Sequence, residues 1–558
     1  MTQQHNEFVS TNYSPPLNLD GESPFFTQEQ ETKLVWGFLL LGLVARSVRY
    51  FLRFPLWDDE SFLCFNFIDR SYGQLLQPLD YHQVAPVLFL WGEQAATQLF
   101  GYNELALRLI PFLCAIASLF LFRYFASQFL KGTALILSMA VFAVAYPGIR
   151  YAAEAKPYGT DLFVGLTLFT LAVAWWKQPE RIKFLWGLVL FVPIAVGYSY
   201  PSLFIAGGVS LAILHVLWKQ GTPQGWVAWV LFNVVLLGSF VVVFQVAKIQ
   251  AGAEQSFMES YWIKAFPPWQ EPWRLPWWLL VTHSSDLMSY PVGGARGAST
   301  LTFIGFVLGA VQAFRYRRSF FLLLCFVPLG LNLIAAAMHR YPYGGHVKFA
   351  QYIAPMLCLM AGLGGAAFFN WLKVKIKSPR KAIVIWLSIL AFIAFASIAR
   401  DFSFPQKTKT DRRFRDFARS FWVNMEYEGE VACLYFDLNK QFSKEMYNEL
   451  SWTATYHCNQ HIYSPRHARH EKVDWDSISN KHPLRCVLYR ATPTEKKFND
   501  FDEAAFALWL SEMQKKYQLV YRDRFPFPIY GKRESRLLRV DTIEVFKFIP
   551  QTNEQPKP

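Results

Sequence analysis

The chain has 558 residues, of which 53% are hydrophobic, 18% aromatic and only 17% charged, a balance too apolar for an ordinary soluble multidomain protein. Its net charge of +14 would suit a nucleic-acid partner, but the basic residues are scattered through short segments between apolar runs and form no single basic surface, which argues against that class. The composition is that of a polytopic α-helical membrane protein.

In chain order, residues 1–31 are polar and rich in Gln, Asn, Ser and Pro, and are expected to be a disordered cytoplasmic segment. No basic region leads into a cleavable apolar stretch, so the first span reads as a retained anchor. A membrane domain is expected over 32–400. Its apolar runs are Leu34 to Leu52, Leu105 to Phe125, Gly132 to Ile149, Tyr158 to Trp176, Phe184 to Tyr198, Leu203 to Trp218, Trp226 to Val246, Leu301 to Phe314, Phe320 to Ala337, Ala350 to Phe369 and Ala382 to Ile398, about eleven transmembrane helices. Several are short, and Pro193 and Pro201 interrupt two of them, so tilted, bent or re-entrant segments are expected.

Alternate connections carry the cations: Arg123 and Lys131; Lys177, Arg181 and Lys183; Lys219; Arg315, Arg317 and Arg318; and Lys373 to Lys381. The positive-inside rule therefore puts these in the cytoplasm and the other connections, with the tail, on the outer face. Two outer loops are long. Arg53 to Glu104 holds helical stretches at Ser61 to Ile68 and Val87 to Phe100, and Ala247 to Thr300 holds Trp262, Trp269, Trp273, Trp277 and Trp278 among prolines. These tryptophans read as headgroup-depth anchors, with a lid or platform for a lipid chain as the second reading.

After the last span charge rises, and 401–558 reads as a soluble extracytoplasmic α/β domain with helices at Arg412 to Val423 and Glu503 to Lys516. Strands are expected at Val431 to Phe436, Cys486 to Tyr489, Leu519 to Tyr521 and Thr542 to Phe548. The seven cysteines show no CxxC spacing for zinc, and a disulfide between two of Cys433, Cys458 and Cys486 is open.

Chemistry concentrates at Trp57-Asp58-Asp59-Glu60, three carboxylates just beyond the first span. Ionised groups there stay hydrated while facing a protein-lined cavity, and one is suited to accept a proton from an attacking hydroxyl. The competing reading is a helix cap on a hydrated loop. Downstream come Tyr81-His82-Gln83-Val84-Ala85-Pro86, then Phe100-Gly101-Tyr102-Asn103-Glu104 with Arg108-Leu109-Ile110-Pro111, then Arg150-Tyr151-Ala152-Ala153-Glu154-Ala155-Lys156-Pro157-Tyr158. In order and spacing these motifs resemble bacterial membrane glycosyltransferases of the GT-C fold. The resemblance is to the family 39 enzymes related to protein O-mannosyltransferases and lipid A aminoarabinose transferases. Departures are the missing first proline of a His-x-Pro-Pro stretch, Ile110 within Arg-Leu-Pro, and Lys156 where the family has Arg.

The resemblance covers the first 220 residues or so at motif level, and implies a bacterial inner-membrane, multi-pass enzyme. Such an enzyme moves a hexosyl or pentosyl unit from a polyprenyl-phosphate donor to a lipid, glycan or protein acceptor at the outer face, with inversion. Asp59 aligns with the family's catalytic aspartate and is the expected base, with Glu60 and Asp58 organising the acceptor or an ion. Arg150, Lys156 and Tyr158 are candidate donor-binding residues, and Glu154 is expected to pair with Lys156 or Arg150, a purely structural ion pair being the alternative. The late outer loop His339 to Lys348 adds Arg340, His346 and Lys348 as a second phosphate site, each also readable as an ordinary headgroup contact. Arg108 should face the protein interior and pair with an acid such as Glu104. His82 is expected to hydrogen-bond or bind the acceptor, and with Asp59 and Glu60 leaves room for a divalent cation, Mg²⁺ or Mn²⁺. A transporter or flippase of lipid-linked saccharides is the rival, weakened because the acids gather at one face and no internal repeat is visible.

Overall fold

The computed structural model describes residues 15–21, 24–68, 70–80, 83–251, 262–293, 300–407, 409, 412, 415–416, 430–434, 483–490, 503–530 and 537–551. Two compact units emerge: one of 1–53, 71–99 and 105–403, the other of 54–70, 100–104 and 404–558.

The first unit is a helical bundle. Helix α1 (Gln28–Phe51) starts at a capping box, in which the Gln30 amide donates to the Thr27 hydroxyl and the Thr27 amide to the Gln30 side chain. In the first long connection lie α2 (Asp58–Cys64), which belongs to the second unit, and α3 (Val87–Phe100). The chain continues through α4 (Leu109–Ser127), α5 (Thr133–Val144), the short α6 (Tyr146–Tyr151), α7 (Tyr158–Lys177), α8 (Lys183–Tyr198), α9 (Ser202–Gln220) and α10 (Pro223–Ala251). A short α11 (Leu275–Thr282) precedes α12 (Thr300–Arg315), α13 (Ser319–Ala337), α14 (Ala354–Lys373) and α15 (Pro379–Ser403). Each of the eleven apolar runs is helical, the run Gly132 to Ile149 being divided at Ala145 between α5 and α6. Among the described residues eight helices are long and apolar enough to cross a membrane, while α5, α8 and α12 are apolar but shorter.

Helix α5 shows why a short helix suffices. Its 12 residues span about 18 Å, well under the roughly 30 Å of a hydrocarbon core, yet all of them are buried by neighbouring helices. The helix stops at Ala145, and the Tyr146 amide then donates to the Pro291 carbonyl at 2.6 Å. Close crossings use small residues: Gly305 and Gly309 of α12 meet Gly364 of α14, where an added Cβ would overlap the Gly305 carbonyl oxygen. Buried charge is paired or bonded. Arg49 reaches Asp401 of α15 at 2.7 Å, and Arg46 donates to the carbonyls of Gly42 and Ala143.

The expectation of disorder over 1–31 is corrected where the segment is described. Leu17 forms a β-bridge with Leu130, Phe25 is buried, and buried Asp20 accepts from the Thr133 amide at 3.0 Å, so tertiary partners order a stretch whose composition is polar. Residues 1–14 and 22–23 lie outside the described residues.

In the second unit, β1 (Glu430–Leu434), β2 (Leu484–Arg490), β3 (Tyr517–Tyr530) and β4 (Leu537–Pro550) make one sheet in the order β1-β2-β4-β3. β1 and β2 are parallel, and the other pairings are antiparallel. Helix α16 (Glu503–Lys516) buries Phe506, Trp509 and Met513 against Phe546 and Phe548. Both β3 and β4 run 14 residues, well beyond the apolar cores that the sequence marks, because their mutual antiparallel ladder carries polar stretches such as Tyr521 to Arg524 along with it. Cys486 is a free, fully buried thiol, which removes it from the disulfide alternatives; its burial pushes its pKa well above the ordinary value. The predicted helix at Arg412 to Val423 falls mostly outside the described residues.

Candidate functional site

Asp58, Asp59 and Glu60 are the first three residues of α2, at the positive end of the helix dipole. Glu60 is buried, and its Oε2 accepts from the Trp57 amide at 3.5 Å, the reach-back half of a capping box, so this acid also serves the local fold. Asp59 is half-buried. The side chain of Asp58 and the whole of His82 lie outside the described residues. In the same unit Tyr102 donates to the Cys64 carbonyl at 2.9 Å, and Glu104 faces Arg415 at 3.6 Å. Arg108, in the bundle unit, is buried at the entry to α4.

In the bundle unit the segment between α5 and α7 is a compact turn stabilised by its own charges. Arg150 Nε donates to Glu154 Oε1 at 2.5 Å, with both side chains largely buried. Burial opposes the charge on Arg150, but Glu154, helped by Tyr151 and Tyr146, outweighs it and leaves the guanidinium pKa above its ordinary value. Of the two partners expected for Glu154, the structure therefore selects Arg150. Lys156 turns elsewhere, donating to Gln83 Oε1 at 2.8 Å.

The late loop comes to the same place. His346 Nδ1 accepts from the Lys348 amide at 3.2 Å and stands 3.4 Å from the Tyr151 hydroxyl, so that nitrogen carries a lone pair and Tyr151 donates to it. The Lys348 ammonium sits over the rings of Trp262 at 4.7 Å, Phe349 at 5.4 Å and Tyr158 at 5.9 Å, a cation held by aromatic faces. Tyr151 and Tyr158 meet edge to face at 4.9 Å. Two predicted phosphate loops, 150–158 and 339–348, are thus one locus. Arg340 is the exception: it is exposed and makes none of these contacts.

Backbone geometry holds the late loop in register. Gly344 and Gly345 have φ of +86° and +72°, and a side chain on either would strike Thr282 or Ala265. The Tyr343 amide donates to the Ala265 carbonyl at 2.9 Å, which ties in the tryptophan-rich segment. Within that segment Trp262 faces Lys348, while Trp273 and Trp277 are exposed. Below the turn His283 Nδ1 lies 2.7 Å from the Leu279 carbonyl and Nε2 lies 3.0 Å from the Tyr343 hydroxyl. Burial lowers the His283 pKa and raises that of Tyr343, consistent with a neutral imidazole whose Nδ1–H donates to the Leu279 carbonyl and whose Nε2 accepts from the Tyr343 hydroxyl.

Sequence reasoning passed over Asp161. This acid is buried in the first turn of α7, bonded to Ser199, with Oδ1 lacking a hydrogen-bond partner among the described residues. An acid opening an apolar span was the available signal. Gln83 and Tyr151 were passed over too, since neither carries charge. Among the described residues no group of three His, Cys, Asp or Glu side chains gathers to hold a metal ion, and His82, a member of the expected set, lies outside them.

No protein-family model and no curated protein matches the sequence. Solved structures do match. ArnT from Cupriavidus metallidurans in the apo state aligns over 92% of this chain and 98% of its own, at 12% identity and a TM-score of 0.51. The fold is that of the GT-C membrane enzymes. The same ArnT bound to undecaprenyl phosphate aligns with equal coverage, identity and TM-score. The archaeal oligosaccharyltransferase AglB from Archaeoglobus fulgidus, in complex with an inhibitory peptide and a dolichol-phosphate, covers 93% of this chain and 75% of its own at 11% identity and a TM-score of 0.44. On a GT-C fold the chain is a multi-pass membrane protein.

Proposed function

We propose that this chain is a membrane glycosyltransferase that moves a sugar from a polyprenyl-phosphate donor to a lipid, glycan or protein acceptor at the extracytoplasmic face. The observation that carries the reading is the joining of loops 150–158 and 339–348 into one cationic, aromatic locus on a GT-C fold. Lys348 and Lys156 offer positive charge to a phosphate whose negative charge grows as the sugar leaves. Arg150, already neutralised by Glu154, shapes the turn and takes a smaller part. The ArnT complex with undecaprenyl phosphate supports the choice of donor class.

In the proposed reaction the acceptor oxygen attacks the anomeric carbon, its proton passes to Asp59, and the bond from that carbon to the phosphate oxygen breaks, releasing polyprenyl phosphate with inversion. The part given to Asp59 rests on the acidic motif. The test is transfer by purified protein from a panel of radiolabelled polyprenyl-phosphate sugars to candidate acceptors. Asp59→Asn should lower transfer by about 10²- to 10⁴-fold with folding intact. Full activity in that variant moves the base to another acid. A wild type that transfers none of the panel but carries lipid-linked sugar between leaflets replaces the enzyme by a transporter.

A further inference from the structure

At the far end of α7 from Lys156, about 30 Å away by helix rise, lies a second site of a different kind. A cavity of about 120 Å³ opens between the ends of α7 and α9 and the turn from α12 to α13. Its cationic or titratable lining is His215, Lys219, Arg317 and Arg318, and no carboxylate is among the described lining residues. The floor is apolar and rigid: Trp176 stacks on Phe320 with centroids 4.7 Å apart and planes 7° apart, and Phe129 stacks on Phe321 at 4.7 Å.

The turn itself is built to present side chains here. Helix α12 closes in a Schellman pattern, with the Arg318 amide donating to the Ala313 carbonyl at 2.9 Å and the Arg317 amide to the Phe314 carbonyl at 3.0 Å. The residue between, Arg317, has φ +52°, the left-handed conformation that glycine adopts without strain. Arg317 takes this conformation with its side chain on the cavity wall, which sets its guanidinium beside Arg318 and Lys219 in the lining. Ser319, Phe320 and Phe321 also line the cavity, and as the first turn of the 19-residue α13 they have amides with no carbonyl partner inside the helix. Trp218 and Phe314, 80% and 77% exposed, stand beside Lys219 and the turn, as aromatics do at headgroup depth.

We propose that this cavity binds a phosphate group, that of an anionic lipid headgroup in the leaflet at this end of the bundle. The guanidinium and ammonium groups and the α13 amides would hold the phosphate oxygens, while the aromatic floor bars deeper water. This site stands apart from the sugar-transfer reading and does not depend on it.

The test uses the full chain in detergent, with dioctanoyl phosphatidic acid, dioctanoyl phosphatidylcholine and inorganic phosphate as probes and binding read by native mass spectrometry. Wild type should prefer phosphatidic acid to phosphatidylcholine by about tenfold or more, and Lys219→Gln with Arg317→Gln, both exposed in the fold, should lose about that factor. A Lys375→Gln, Lys377→Gln pair removes the same charge outside the cavity and should leave binding unchanged. Arg317→Gly separates binding from folding: it should raise the melting temperature by relaxing the turn and still weaken lipid binding. Inorganic phosphate binding as tightly as phosphatidic acid, with the same loss in the Lys219, Arg317 pair, keeps the phosphate site and overturns its lipid source. Equal phosphatidic acid binding in wild type and that pair, or an equal loss in the Lys375, Lys377 control, overturns the site.

Discussion

The two ends of the helical bundle handle positive charge in opposite ways. Around Tyr151 and His346 each described cation has a designated counterpart: Arg150 has Glu154, Lys156 has Gln83, and Lys348 has three aromatic faces. Around Arg317 four cationic or titratable side chains share one cavity wall, and no carboxylate is among its described lining residues. Counting charges along the sequence makes the second end look the more important, since it is the more basic. Yet chemistry that must place a substrate to within a fraction of an ångström needs fixed side chains, and the counterparts at the first end fix them. Attraction of a headgroup needs charge and access, and the second end supplies both.

The largest effect that sharpens this contrast is on catalysis. Lys348→Gln combined with Lys156→Gln should lower transfer by roughly 10²-fold or more, the loss of two charge-assisted phosphate contacts, while Lys219→Gln with Arg317→Gln leaves the turnover number within about twofold. Parallel rate measurements on the two variants break the comparison if both fall together. Next comes stability. Glu154→Gln leaves Arg150 buried without its counter-charge and should cost about 3 kcal/mol, read as a lower melting temperature in detergent, and the double replacement with Arg150→Gln should recover much of it.

A smaller effect is pH-dependent. The His283 pKa is lowered in the folded state by burial, so between its ordinary value near 6.5 and the lower folded value the unfolded chain binds the proton more readily. Stability is therefore intact above pH 6.5 and declines as pH falls through that window. His283→Gln should flatten the melting temperature between pH 7 and pH 5, and an unchanged slope removes His283 as its source. Smallest of all, Arg317→Gly should gain about 1 kcal/mol or less, a rise of a few degrees at most.

The bundle was legible because long apolar runs have one solution in lipid, and the runs from Leu34 to Ile398 are helical, eight of the helices among the described residues being long enough to cross. Composition misled at residues 15–21 and 24–31, where Asn18 and Asp20 look like loop residues. Asp20 accepts from the amide and hydroxyl of Thr133, over a hundred positions away, and Asn18 accepts from the Asp20 amide. At the site the same division holds. The i,i+4 spacing of Arg150 and Glu154 made their pairing readable. The meeting of Tyr151 with His346, 195 positions apart, has no periodicity to announce it. Lys348 was visible as a charge, but its aromatic cage was not, because Trp262 and Tyr158 come from separate loops.

Helix α5, sheathed on all sides by protein, never meets an acyl chain. Lipid length then acts on the bundle unevenly. Thinner or thicker bilayers press on α10 and α15, whose most apolar windows are only 11% and 22% buried, while the short central strut is insulated from hydrophobic mismatch. A bundle with one insulated strut and two lipid-bathed staves would answer a change of acyl length by leaning its periphery around a fixed axis.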